Sequence, residues 1–301
     1  MTIRISTRMM TDRAVTAMLG QQRRLSDTEE QLSTGKRILT PADDPAGAAR
    51  VLDYNRAIAT VDQYQNNADR ARSRLEQEES LLAGTENLLI RAKELAIQGN
   101  NDSNGPEDKR AIAGEIRQLL EQVLGIANTR DANGEYLFGG FQTGEPPFVR
   151  VAGGGIEYRG DNGARQLQIS TDRRVADGDN GFDVFVDIGA APGKRSLFAT
   201  LDSLAATLAQ GGAVDGHLEE LDQALANVLA VHTTVGARIN TIDEQVEVNA
   251  DTRLTLQRHL SQEQDLDYTE AISRYNRQTI ALDAAQKAYI KIKGLSLFDY
   301  L

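Results

Sequence analysis

Cysteine and tryptophan are absent from this 301-residue chain, and histidine is scarce: His217, His232 and His259 are the whole set. Without thiols there is no disulfide framework, no thiolate nucleophile, no Cys-ligated metal and no thioether haem attachment. Basic residues are outnumbered, 33 Lys and Arg against 44 Asp and Glu, for a net charge of -11. Such a balance does not suit a phosphate-tracking surface, so no nucleic acid partner is expected. No apolar run is long enough to span a bilayer, so no membrane insertion is expected either. The opening MTIRISTRMM carries two Arg but runs into polar sequence through Arg24, without the apolar stretch of a cleaved secretory signal. On these grounds alone the default location is the cytosol. Length suggests two domains, at about 150 residues each.

Proline is also sparse, and its placement organises the chain. Pro41, Pro45, Pro106, Pro146, Pro147 and Pro192 leave 46–105 and 193–301 free of that helix breaker. Sixteen of the 26 glycines lie between Gly134 and Gly216, and six of the seven Phe between Phe138 and Phe198. The expected order is therefore helix, then β, then helix: a mainly α chain with a small inserted β domain.

Ala14, Met18, Gln21, Leu25, Thr28, Leu32 and Gly35 follow the alternating 3-4 stride of a coiled-coil seam, thin in apolar content. Gly35 reads as a helix end, and Asp44 as the cap of a new helix with Pro45 at its first position. That helix is predicted over 45–98. Val61, Ala68, Leu75, Leu82, Leu89 and Ala96 recur every seven residues, broadened by Leu81, Leu88 and Leu95. A further helix opens at Glu107 and carries Ile112, Ile116, Leu119, Val123 and Ile126. From Asn133 to about Ala191 the period falls to two. Strands are predicted at 148–151, 155–159, 165–169 and 182–188, with Gly160–Gly163 as a hairpin turn. A β segment of that size is expected to pack on the helices that bracket it. The helical stride returns at Leu197–Gln210, then in Leu221, Leu225, Val228, His232, Val235, Ile239, Ile242 and Val246. Tyr268, Ala271, Tyr275, Gln278, Leu282, Ala285, Tyr289 and Ile292 close the series.

Candidate chemistry is thin. Asp177–Gly181 starts like a calcium loop, but Ile188 stands where a bidentate acid is needed, so a polar turn is expected. Gly139–Gly144 has phosphate-loop glycines, yet Glu145 replaces the Lys and no helix follows. His232 falls on an apolar seam, without a second ligand at metal spacing, and reads as a packed residue; His217 and His259 read as solvated. No catalytic residue, metal ligand or cofactor site is expected, and the chain reads as a non-enzyme. Residues 1–40 and 265–301 bury too little to hold themselves as isolated helices, and are expected to order when other copies cover them.

Both ends carry a family resemblance. Arg4-Ile5-Ser6-Thr7, Gln31 to Ile38 (QLSTGKRI) and Pro41 to Ala49 (PADDPAGAA) resemble the N-terminal module of the flagellin superfamily, and Ala285–Tyr289 with Leu295–Leu301 (LSLFDYL) its C-terminal module. Ala127 to Thr143 (ANTRDANGEYLFGGFQT) and the ending Phe298-Asp299-Tyr300-Leu301 are similar to the hook-filament junction branch rather than to filament subunits.

The resemblance implies a flagellin-like fold in which the terminal helices pair as an antiparallel coiled coil or helical bundle. It divides the chain into an N-terminal assembly arm 1–40, helical core 41–132, inserted β domain 133–195, helical core 196–264 and a C-terminal arm 265–301. Ile5, Met18, Leu25, Leu32, Tyr268, Tyr275, Leu282, Tyr289, Ile292, Leu295, Leu297, Phe298 and Leu301 are the expected assembly residues. Implied partners are other copies in a ring, the first hook-associated protein on the hook side, flagellin on the filament side and a flagellar export chaperone. Implied too are export through the flagellar type III channel without a cleaved signal, and residence outside the cell at the hook-filament junction. The competing readings are a filament subunit, an intracellular coiled-coil adapter, and an enzyme or lectin seated in 140–191.

Overall fold

The computed structural model describes residues 7–101, 103–188 and 196–294. Six α-helices carry the chain: α1 (Thr7–Thr34), α2 (Pro45–Gly99), α3 (Pro106–Ala127), α4 (Leu197–Ala209), α5 (Asp215–Gln264) and α6 (Tyr268–Gly294). Between α3 and α4 lie four three-residue strands, β1 (Phe148–Arg150), β2 (Ile156–Tyr158), β3 (Gln166–Gln168) and β4 (Arg174–Ala176). The described residues form two compact units, one from the chain ends up to Thr60 and from Thr252, the other from Val61–Asp251.

Local chemistry sets the boundaries. α1 stops at Gly35, whose φ of 69° is the left-handed conformation that glycine adopts without steric cost. The Asp44 carboxylate accepts the Gly47 N–H at 2.8 Å and so caps α2, with Pro45 at the first helical position. α3 opens at Pro106, one residue before the expected start, and Asp108 reaches back to accept the Gly105 N–H at 3.0 Å. Ser196 caps α4 through the Ala199 N–H.

In the 61–251 unit the heptad series of α2 is core, from Ala68 through Leu75, Leu82 and Leu89 to Ala96, while Val61 is half-buried. Ile112, Ile116, Leu119 and Val123 of α3, Leu201, Leu204 and Leu208 of α4, and Leu221, Val228, Val235 and Ile242 of α5 complete it. The non-helical segment joins the same core through aromatics. Phe138 and Phe148 each meet Phe185 edge-on, and Phe148 packs on Phe198 of α4 at 5.0 Å between centroids. Its backbone is tied to helices by amide side chains: Asn128 pairs with both the N–H and the C=O of Phe148, Asn67 donates to Gln168, and Asn249 donates to Ile169. The expected packing of the insert against helices is what the chain does.

The strand expectations need three corrections. Residues 182–188 are not a strand; Phe182–Val186 make one π-helical turn. Val184 and Phe185 are neighbours and both fully buried, where a half-buried strand would turn one of the two to solvent. Asn180 starts that turn by accepting the Asp183 N–H at 3.0 Å. The strand that sequence periodicity missed is β4, which pairs antiparallel with β3, as β1 pairs with β2. Gly160–Gly163 therefore joins two separate hairpins and is not itself a hairpin turn. The tight turn of β1–β2 is made by Gly153 and Gly154, with φ of 120° and 92°.

Candidate assembly interface

In the unit built from the chain ends, α1 and α6 lie antiparallel. Gln21 donates to the Gln278 carbonyl at 3.3 Å, the Tyr275 hydroxyl meets Glu29 at 3.3 Å, and Leu266 N–H donates to the Gly35 carbonyl at 2.9 Å. The residues in contact are those of the sequence seams. On α1, Ala14, Met18, Gln21, Leu25 and Leu32 are half-buried and Thr28 is buried; on α6, Ala271 is buried, and Tyr275, Gln278, Leu282, Ala285 and Tyr289 are half-buried. Tyr268 sits at the start of α6, more than half exposed, with its hydroxyl 2.8 Å from where a side chain on Gly35 would begin. Of the expected assembly residues, Met18, Leu25, Leu32, Tyr268, Tyr275, Leu282 and Tyr289 are thus placed. The backbone of Ile292 continues α6, and its side chain lies outside the described residues, as do Ile5, Leu295, Leu297, Phe298 and Leu301.

A second apolar surface remains uncovered. Ile272, Ile280 and Ile290 fall within about a quarter-turn of one another around α6, on the side away from its seam. Ile280 and Ile290 are 70% and 67% exposed, and Met9, Met10 and Leu19 of α1 are about half exposed. Monomeric surfaces carry scattered apolar residues, but a stripe on a terminal helix is the form that helix-to-helix contacts use.

Sequence reasoning missed the polar group at the corner between these helices. Arg37 donates to Asp44 at 3.3 Å and to the Glu263 carbonyl oxygen at 2.8 Å. Arg50 grips the Glu263 carboxylate with two bonds, at 3.0 and 2.9 Å. One turn further along both helices Tyr54 stacks on His259. The Gly47 N–H, aided by Arg37, holds the Asp44 carboxyl below the usual carboxylate range, and the Arg50 hydrogen bonds do the same for Glu263. Asp43 is lowered by the N–H groups of Thr40 and Leu39. Asp44 was legible as a helix cap, and Arg37 and Asp43 lie in the N-terminal motifs; the pairing of an Arg and a Glu more than two hundred residues apart was announced by nothing.

The 61–251 unit holds the most perturbed acid. Glu78 is buried on α2, accepts the Asp179 N–H at 3.2 Å, and is pushed up to about 8 by burial and then by the Asp179 charge. Arg238 donates to Asp179 at 2.9 Å, and Arg74 to Asp131 at 2.9 Å. Asp177 is buried against Arg165, so the candidate calcium loop is spent on ion pairs within the fold. His232 faces Glu86 at 2.7 Å, and His217 lies between Thr207 and Glu220, so His217 is bonded rather than simply solvated. Among the described residues no three potential ligands cluster as a metal site, and no helix is long and apolar enough to cross a membrane.

Comparisons with known proteins agree with the placement of these helices. Residues 5–143 match the model of the bacterial flagellin N-terminal helical region, and residues 218–301 that of the C-terminal helical region. The flagellar hook-associated protein 3 of Escherichia coli (strain K12) is 30% identical, over 99% of this chain and 99% of its own. Among solved structures, FlgL of Xanthomonas campestris superposes with a TM-score of 0.64 at 21% identity, covering 69% of this chain and 99% of that one. The flagellar junction protein FlgL of Legionella pneumophila superposes at 0.58 and 21% identity, covering 71% and 99%.

Proposed function

The chain belongs to the bacterial flagellin family, and on that premise we propose that it is a structural subunit of the flagellum, seated at the hook-filament junction. The observation that carries this reading is the full-length likeness to hook-associated protein 3. A filament subunit shares both terminal helical regions; what favours the junction reading is that the likeness to hook-associated protein 3 covers 99% of both chains at 30% identity. Its place is the extracellular flagellum, and self-association with hook and filament neighbours follows from that role.

The finer assignments rest on chemistry. The antiparallel α1/α6 pair forms the assembly arm, using Met18, Leu25, Leu32, Tyr275, Leu282 and Tyr289 for its own seam. Residues of the extreme ends, Ile5, Ile292, Leu295, Leu297, Phe298 and Leu301, extend it. The stripe of Ile272, Ile280 and Ile290 meets a neighbouring copy. Such a contact is heterologous, one surface of a copy against a different surface of the next, and heterologous contacts build rings or helical tubes according to the rotation they impose. The first hook-associated protein lies on one side of the ring and flagellin on the other. Seams as thin as those of the arms 1–40 and 265–301 gain burial when other copies cover them, which suits passage of an unfolded chain through the flagellar type III channel with a chaperone on the C-terminal helices. The absence of cysteine suits that route.

A strain lacking the protein tests the reading. Hooks without filaments, with flagellin lost to the medium, are expected; intact filaments would sink it. Purified chain that grows long filaments unaided would reassign it as a filament subunit.

A further inference from the structure

The corner where the chain ends meet holds more polar machinery than two packed helices require. Lys36 and Asp265 form an antiparallel bridge, with Arg37 N–H donating to the Gln264 carbonyl at 2.7 Å and Leu266 N–H to Gly35 at 2.9 Å. Around this bridge stand Arg37, Asp44, Arg50 and Glu263, drawn from both corners of the chain. Resting on the assembly reading above, we infer that Arg37, Arg50 and Glu263 are positioning residues: they set the register of α1 on α6, and with it the surface offered to the next copy.

The seam cannot do this by itself. Its residues repeat every seven positions, so a slip of one heptad, about 10 Å along the axis, lays seam on seam again. Gln21, Thr28, Ala271, Gln278 and Ala285 are polar or small, and offer few large knobs to oppose such a slip. The corner opposes it. A heptad slip breaks both backbone bonds of the bridge and the two-pronged grip of Arg50 on Glu263, and carries the start of α6 away from the pocket at Gly35 that only a residue without a side chain leaves open. The ion pair is half-exposed on the Arg50 side, and solvent screening leaves such pairs little net stabilising effect. Its consequence is therefore a choice between registers, as with polar pairs that specify coiled-coil alignment.

The cysteine-free chain makes the test clean. In the full chain, Gln21→Cys with Gln278→Cys reports the native register, and Gln21→Cys with Ala285→Cys reports a slip of one heptad. A short thiol cross-linker should favour the first pair by about tenfold. Arg37→Ala, Arg50→Ala and Glu263→Ala together should cut that preference at least about threefold while leaving the thermal midpoint in place, and the milder Glu263→Gln should move it the same way. Arg50→Lys, which keeps one contact to Glu263, should retain most of it. An unchanged preference in the triple variant overturns the inference, as does a loss of preference matched by an equal loss of helical signal, which would mark a merely structural role. Neither result bears on the deletion strain, whose filaments judge the junction reading separately.

Discussion

The two units of this molecule are built from the same helical stride and bury very different amounts. In 61–251 the heptad positions are Leu75, Leu82 and Leu89, fully enclosed together with Phe138, Phe185 and Phe198. In the unit of the chain ends, the buried apolar side chains among the described residues are Ile38, Leu266 and Ala271. Seam residues there stay half-exposed, and isoleucines look outward. One unit completes its core within one chain. The other holds an unfinished surface, which is a defect in a monomer and a requirement in an assembly. Periodicity thus reports which face of a helix is used, while side-chain size and enclosure report whether the partner lies in the same chain.

The contrast can be broken most forcefully in the core. Phe185→Ala removes a ring packed against Phe138, Phe148 and Phe198, and should cost about 3–5 kcal/mol in chemical denaturation. If it costs no more than a change in α1, the two units are not different in kind. Glu78→Gln probes the buried acid of that unit that burial holds protonated. With the carboxyl pushed up from 4.5 to about 8, the folded state holds a proton that the unfolded state releases. Its contribution is complete below pH 4.5 and is lost as pH rises to about 8. The variant should therefore flatten a decline of order 2 kcal/mol between pH 6 and 9, read from denaturation midpoints.

In the unit of the chain ends, Gly35→Ala forces a side chain into a left-handed residue and against the Tyr268 hydroxyl. It should cost about 1–2 kcal/mol, seen as loss of amide protection in α1 and α6 with Val61–Asp251 unaffected. Leu25→Ala, at a half-buried seam position, should cost about 1 kcal/mol or less to the free chain by the same measurement. It should weaken attachment of filaments in cells more than that figure suggests. The smallest effect is that of acid on the corner. Asp44 and Glu263 are held below the ordinary carboxylate range, so their contribution is present above that range and lost as pH falls through their lowered values. Protection of the Leu266 amide should drop there, with the core unchanged; a core that loosens first would reverse the ranking.

Much of the helical plan was legible because helices announce themselves locally. Gly35, Asp44 and Pro45 marked the break between α1 and α2, and the seam of α5 from Leu221 to Ile242 is the face that packs. The β segment was less legible for a physical reason. Phe182–Ile188 alternates like a strand, but Asn180 starts a turn and both Val184 and Phe185 are buried; around Arg174–Ala176, Val175 is flanked two positions away by Arg173 and Asp177, so no period registers, and the segment pairs as a strand beside Gln166–Gln168. The faces that α1 and α6 turn to each other were legible as 3-4 seams, while the grip of Arg37 and Arg50 on Glu263 was not.

By itself the amino-acid sequence determined where helices begin and end, which faces they use, that no thiol chemistry is available, and that the ends carry flagellin-like motifs. These properties depend on neighbours a few residues apart, so spacing reveals them. Only the tertiary structure decided which distant segments meet: α1 against α6, Arg50 against Glu263, Asp179 over Glu78, β3 beside β4. Those pairings close loops of many residues, and their free energy comes from enclosure and charge placed in three dimensions. A linear pattern cannot hold that information.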